Sequence, residues 1–362
     1  MTDSLFVKNW ASPPGDTIQD ALEELGMNQR DLAARLGVTP KHVNDLIKGR
    51  VNISADIAVR LEAVLGEPAS FWMKRDADYR LALAQKEAMA QAKADADWLQ
   101  EIPYAEMARL GWVRKWTGDG EKVVEALRFF GVGSVDAWKE HTRSLCPAFR
   151  DTGRFPRKFG AVAAWLRKAE LTALAQDTAP FDKDKLHDSL SGIRALTAER
   201  DPQVFIPHLG ELCGACGIAV AFVPAPRGCP VSGATRWLTK DKALLALSLR
   251  HKTNDHLWFS LFHELGHLIK HGKRLTLIEG IDGLDPDLEE EADEFAANQL
   301  IPPDCDYEVF AEGLITPTRL RTFSSRIGVA PGIVIGRLQN DGVIPWQSSL
   351  NKLKVSYAWQ EG

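Results

Sequence analysis

Phe262-His263-Glu264-Leu265-Gly266-His267 decides how this chain is read, because it sets two imidazoles and a carboxylate at helical spacing. On an α-helix, His263 and His267 lie one turn apart and project from the same face, where both can bind one metal ion. Glu264 sits beside them and can take a proton from a water that the metal activates. Trp258, Phe262, Leu265 and Ile269 form an apolar stripe on a different face, as an amphipathic helix requires. Two satisfied histidines on a half-buried helix would read the same way. A third ligand is what separates the two cases.

Downstream runs Asp285-Pro286-Asp287-Leu288-Glu289-Glu290-Glu291-Ala292-Asp293-Glu294-Phe295-Ala296-Ala297-Asn298. Asp285 is a good N-cap and Pro286 a good first helical residue, so a helix should begin there. Its apolar face is Leu288, Ala292, Phe295, Ala296 and Leu300. Glu290 points away from that face. Glu289 and Glu291 flank it, and either can reach a metal held by the first helix. Periodicity does not choose between them.

His263-Glu264-Leu265-Gly266-His267, followed at this distance by Glu291-Ala292-Asp293-Glu294-Phe295-Ala296, resembles the ImmA/IrrE family of bacterial metallopeptidases. The resemblance spans about residues 185 to 345. In that family the glutamate before the alanine is the third zinc ligand. The resemblance therefore implies zinc on His263, His267 and Glu291, with Glu264 as general base, in a zincin-like (gluzincin-like) domain. Two His, one Glu and an open position make a catalytic rather than a structural zinc site. His271 lies a further turn along, too far on a straight helix to join the same ion, and Gly272 follows as a helix stop. A supporting role is expected for it.

Strands are expected only near this motif: Ile218 to Val223, Gly233 to Leu238 and Ala243 to Leu249, short apolar runs bounded by turn residues. A small sheet with a free edge suits a peptidase, because an extended peptide can add to it. Arg236, His251 and His256 are candidates to stabilise a tetrahedral intermediate, unranked among themselves.

The other end carries a different pattern. Between Asp16 and Leu65 four short helices are expected, with glycine stops at Gly26, Gly37 and Gly49. Asn28 caps the second, Gln29 to Leu36; Thr39-Pro40 starts the third and Ser54 the fourth. The expected core is Ile18, Leu22, Leu25, Leu32, Ala33, Leu36, Val38, Val43, Leu46 and Ile47. Ala33 and Gly37, with Val38 just after, let two helices meet through a tight turn, which is a helix-turn-helix signature. The pattern resembles the Xre-type family. Pro14-Gly15 before it, and Phe71-Trp72 with Tyr79 after it, resemble the HigA-type antitoxin subgroup.

The recognition helix would run from Thr39 to Lys48. Val43, Leu46 and Ile47 turn inward, leaving Lys41, His42, Asn44 and Lys48 outward with Arg50 beyond. Together with Gln29 at the start of the second helix, these are the expected DNA contacts. Asn reads adenine edges, and Lys reads guanine or holds phosphate. Residues 28 to 50 carry five Lys/Arg against two Asp, within a chain of formal net charge −5. The global charge argues against indiscriminate nucleic-acid binding, while the local excess permits binding of a particular duplex.

At 362 residues the chain is too long for one core. The expected division is residues 1–83 for the helix-turn-helix bundle, 84–184 for a helical connector, 185–305 for the peptidase-like domain and 306–362 for a C-terminal segment. The fold class is mainly α with a small α+β domain. In the connector, Ala161 to Arg167 is the strongest helical stretch. Thr316 to Asn340 reads as two helices about Gly328, a second helix-turn-helix-like unit, with Arg319, Arg321, Arg326 and Arg337 and no acidic residue. A structural cover on the peptidase-like domain is the expectation there, with nucleic-acid contact as the competing reading.

Met1 to Trp10 lacks the layout of a signal peptide, and no apolar run approaches a membrane span. The five cysteines, at 146, 213, 216, 229 and 305, form no disulfide framework. Cys213-Gly214-Ala215-Cys216 is a lone CxxC, read as packing, and Cys229 is a weak candidate for a thiolate on the metal. A bacterial cytoplasmic, homodimeric regulator is expected, binding its own operator and cleaving a repressor or partner with zinc. Two other classes fit the same motifs: a HigA-like antitoxin whose zinc domain only binds a toxin, and a ligand-responsive factor of the acyl-CoA-sensing type.

Overall fold

A computed structural model of the chain describes residues 12–145, 157–272, 277–278, 286–305, 310 and 314–359. The expectations for Met1 to Trp10, for Cys146 and for Asp285 as an N-cap lie outside the described residues. The chain divides into two compact units, Met1–Ala96 and Asp97–Gly362.

The first unit is built of α1 (Pro14–Glu24), α2 (Gln29–Leu36), α3 (Pro40–Ile47), α4 (Ala55–Leu65) and α5 (Ala69–Ala94). Asn28 and Asp31 form a reciprocal capping box on α2, and the Thr39 and Ser54 hydroxyls accept from the backbone of α3 and α4. At the α2–α3 turn, Gly37 takes φ +67° and the amide of Val38 donates to Ala33 O at 3.0 Å. That closes a Schellman turn which only a residue at ease with positive φ can make. Gly15 answers a different need. A Cβ there would fall inside the backbone carbonyl of Ile47, so α1 and α3 pack backbone to backbone. The core contains the expected set apart from Leu25, with Val38 partly buried at its edge, and adds Ile53, Ile57, Ala58, Leu61 and fully buried Trp72. Leu25 departs from expectation: it is 50% exposed, because it caps α1 and falls past the last buried turn.

The second unit holds α6 (Tyr104–Arg109), α7 (Asp119–Phe130), α8 (Val135–Leu145), α9 (Arg157–Leu174), α10 (Lys183–Ala195), α11 (Pro202–Ala215), β1 (Ile218–Phe222), β2 (Gly233–Thr239) and β3 (Lys242–Leu247). It continues with α12 (Asn254–Lys270), β4 (Leu277–Ile278), α13 (Pro286–Leu300), α14 (Pro317–Ile327) and α15 (Pro331–Asn340). The sheet order is β1-β3-β2-β4, with β1 parallel to β3 and the other pairs antiparallel. Alternation sorts the strand residues between two cores. Ile218, Val220, Leu245 and Leu247 join α10, α11 and α12 on one face, while Ala219, Ala221, Ala234, Leu244 and Ala246 meet α9 on the other. Small residues on that second face let α9 come close, and Trp165 Nε1 donates to Val223 O at 2.9 Å.

Residues 97 to 184 are thus part of the second unit: α9 is one layer of it and not a spacer. The tail is equally integral. Leu320, Phe323, Ile333, Val334 and Leu338 share the core of Trp258, Leu261 and Phe262. Gly328 takes φ +73° between α14 and α15 as the pattern required. A fourth strand, β4, which the sequence reading did not include, pairs with β2 at Ala234 and Thr235. No helix among the described residues is long and apolar enough to cross a membrane.

The start of α12 is fixed by the chain's last segment. Asn254 exchanges hydrogen bonds with the backbone of Val355, and Lys354 Nζ contacts Asp255 Oδ2 at 2.5 Å and Gln339 Oε1 at 2.7 Å. Both partners of the ion pair are under 10% exposed. Lys354→Met therefore strands a buried carboxylate and is expected to destabilise the second unit by about 3–5 kcal/mol. Denaturant unfolding should show that loss, and the double variant with Asp255→Asn should recover most of it.

Candidate functional site

α12 is buried along nearly its whole length, which is unusual for a helix bearing Asn, Asp, His and Glu side chains. Its polar groups must therefore find partners inside the domain. His263 and His267 are each 2% exposed and Glu264 is fully buried. The two imidazoles turn their Nε2 atoms toward each other at 3.0 Å. Their Nδ1 atoms are held from outside: His263 by Asp293 Oδ1 at 2.8 Å, and His267 by His271 Nδ1 at 2.9 Å.

α13 brings the third group. Glu289 places Oε2 3.5 Å from His263 Nε2 and Oε1 3.3 Å from His267 Nε2. Ligand atoms of His263, His267 and Glu289 all lie within 4.8 Å of one another. Glu291 is elsewhere, with Oε2 3.1 Å from His271 Nε2. The structure thus departs from the expected pairing of Glu291 with the two histidines, and helix geometry explains why. Ala292 and Ala296 pack against α12, where a Cβ on Gly266 would meet Phe295 at 3.0 Å and Ala292 at 3.4 Å. Glu289 and Asp293, four apart, flank that contact on the histidine side, whereas Glu291 lies roughly 200° around the helix from Glu289.

The donor set fits a divalent metal. Two nitrogens and a carboxylate converge, and a carboxylate on the far nitrogen of His263 fixes its tautomer and orientation. Burial opposes ionisation of Glu289, but its contacts with His263 and His267 outweigh that and bring the carboxyl down to about 2. Burial is also the main cause that holds His267 below the usual imidazole value, against the pull of Glu289. It favours the neutral form that binds metals. Glu264 packs against the first residue of β2, where a Cβ on Gly233 would lie 2.7 Å from its Oε1. Only glycine leaves room there for the carboxylate.

Other candidates are dispersed. Arg236 projects to the α9 face of the sheet, 3.9 Å from Glu170, so it is separated from α12 by the sheet. His251 and His256 stack with ring centroids 4.4 Å apart at the start of α12, and burial lowers both pKa values. Cys229 packs in the α9 core, where burial pushes its thiol up to about 11. Cys213 and Cys216 are buried as free thiols, and burial takes Cys213 up to about 12. These cysteines are packing residues.

In the first unit, α3 buries Val43, Leu46 and Ile47 and exposes Lys41 and Lys48, with His42 and Asn44 half-buried beside them. Gln29 is half-buried at the first position of α2. Arg50 is exposed but contacts Asp45 Oδ1 at 3.2 Å, so its charge is partly answered within the fold.

Comparison with known proteins agrees with this division. A helix-turn-helix family model matches residues 18–72, and one for the IrrE N-terminal-like domain, of the M78 peptidase type, matches residues 235–339. The second match runs from within β2 through α15, taking in both helices that carry the candidate metal ligands. An uncharacterised HTH-type transcriptional regulator, YddM, of Escherichia coli K12 is 30% identical over 73 residues, which is 20% of this chain and 78% of that protein. Virulence-associated protein I of Dichelobacter nodosus is 29% identical over 75 residues, 20% of this chain and 69% of its own length.

Proposed function

We propose that this chain, which belongs to the helix-turn-helix transcriptional regulators and carries a peptidase-family domain of the IrrE N-terminal-like type, couples operator binding to zinc-dependent cleavage of a protein. The observation that carries the reading is the convergence of His263, His267 and Glu289 beside buried Glu264. Zinc suits two imidazoles and one carboxylate with an open position, and when bound it supplies a Lewis acid for the scissile carbonyl and for water.

The chain's own residues do the rest. Asp293 holds His263, and His271 holds His267 while Glu291 holds His271. Glu264 takes the proton of the attacking water and returns it to the leaving amine, as a buried carboxylate beside the reacting atoms can. The α12 helix keeps these groups on one rigid support. The substrate class that matches a regulator is a repressor or a protein partner of the same circuit. Incubating purified zinc-loaded protein with repressors encoded beside it should yield discrete fragments. Stoichiometric zinc with no fragment from any of them would move the domain to a sensor or toxin-binding role.

On the DNA side, α3 would enter the major groove as a dimer's recognition helix, on half-sites about one helical turn apart upstream of this protein's own gene. Lys41, Lys48, Arg50, His42 and Gln29 would hold or approach the backbone, and Asn44 would read a base. Asn44→Ala is expected to cost roughly 1–3 kcal/mol on the specific site and much less on random duplex. Lys48→Ala should weaken both alike and flatten the salt dependence. Titrations on the two duplexes at several salt concentrations separate these outcomes. Equal loss on both duplexes for Asn44→Ala would remove its base-reading role.

A further inference from the structure

Beside the metal centre the second unit contains a cavity of about 610 Å³. Its wall begins at Asp293, the residue that holds His263. From there it follows α13 as far as Ile301 and α12 from Phe259 back to Asp255, with α15 opposite. Gly336 of α15 keeps this side close, since a Cβ there would lie 2.8 Å from Asp255.

The electrostatics of the lining are one-sided. Five carboxylates border the cavity, those of Asp255, Glu290, Asp293, Glu294 and Asp341, against the guanidinium of Arg337 and the imidazole of His256. Arg337 is already committed to Asp341, with its Nε 2.8 Å and 3.0 Å from the two oxygens. Glu290 and Glu294 have no ion-pair partner among the described residues. Asp255 adds a sharper observation. It is 7% exposed, its Oδ2 meets Lys354, and its Oδ1 has no hydrogen-bond partner among the described residues. A buried carboxylate oxygen without a donor is costly, and a donor arriving through the cavity would relieve that cost. Aromatic surface is present too: Phe259 lines the wall, and Trp346 does so while 59% exposed.

We propose that this cavity is a subsite for a cationic side chain, arginine in particular, of the polypeptide cleaved at the metal centre; the peptidase part rests on the function proposed above. A guanidinium offers several donors to the carboxylate oxygens along this wall, and its flat face stacks on an indole. A lysine brings the charge without the fork or the plane and fits less well. The cavity leads from Asp293, so a side chain seated in it belongs to a residue near the scissile bond.

The test is ligand-observed saturation-transfer NMR on the full-length chain, with N-acetyl-arginine amide and its uncharged citrulline counterpart as probes. The arginine probe should bind, and the citrulline probe should bind at least several-fold more weakly. Glu294→Gln and Trp346→Ala should each weaken the arginine probe by roughly fivefold, as loss of one charge-assisted or cation–π contact would. Glu264→Gln should leave binding unchanged. Equal binding of the two probes, equal binding by the cavity variants, or no binding at millimolar concentrations would overturn the subsite. Cleavage fragments decide the rest. A protein that binds arginine amide but cuts nothing removes the peptidase and keeps the cationic site. Cutting with no basic residue near the scissile bond keeps the peptidase and removes the subsite.

Discussion

Glu289→Ala is expected to leave the protein without bound metal, whereas Glu291→Ala should keep close to one zinc per chain. Elemental analysis of the purified variants reads this directly, with His263→Ala and His267→Ala as the reference for complete loss. The argument is geometric. Glu289 reaches both Nε2 atoms, and no other described carboxylate joins their cluster. Removing one of three ligands leaves two imidazoles on one helix turn, too few for a stable site. Glu291 and Asp293 act instead through the rings they hold, so their loss should weaken affinity by roughly 10–100-fold without abolishing binding. Zinc retained in full by Glu289→Ala and lost from Glu291→Ala would restore the pairing implied by family resemblance.

That ambiguity shows where sequence reading reached its limit. Relative to Ala292, at the centre of the apolar arc of α13, Glu289 lies about 60° to one side and Glu291 about 100° to the other. Both border the arc, and period alone does not say which of them meets the histidines of α12. What does separate them is Asp293, four residues beyond Glu289, which orients His263 from the same side of the helix. The first unit was easier to read because its signals are local. Asn28, Thr39 and Ser54 cap their helices, and Gly26, Gly37 and Gly49 all take positive φ. The three main strands also lie where apolar runs placed them. Long-range packing was not legible. Nothing local in Ala161 to Leu166 says that this helix lies on a sheet formed sixty residues later, yet its small residues match small residues there. The same holds for β4, whose partners are Ala234 and Thr235, and for a cavity walled by three helices far apart in sequence.

Glu264→Gln should retain zinc and the fold while lowering any cleavage rate by roughly 10²–10⁴, the usual contribution of a positioned general base. Glutamine keeps the volume beside Gly233, where a larger or rotated group has no room. It does not belong to the ligand cluster, so metal content should match the wild type. Glutamine is nearly isosteric with glutamate, so unfolding should show a stability close to that of the wild type. The combination matters: slow turnover with full zinc and intact stability assigns the defect to proton transfer. Equal rates for wild type and Glu264→Gln on a substrate that is truly cut would take the base role away from Glu264. A slow variant that has also lost zinc would instead place Glu264 in the support of the metal. The DNA-binding unit supplies an internal control, because its operator affinity should be the same in both proteins.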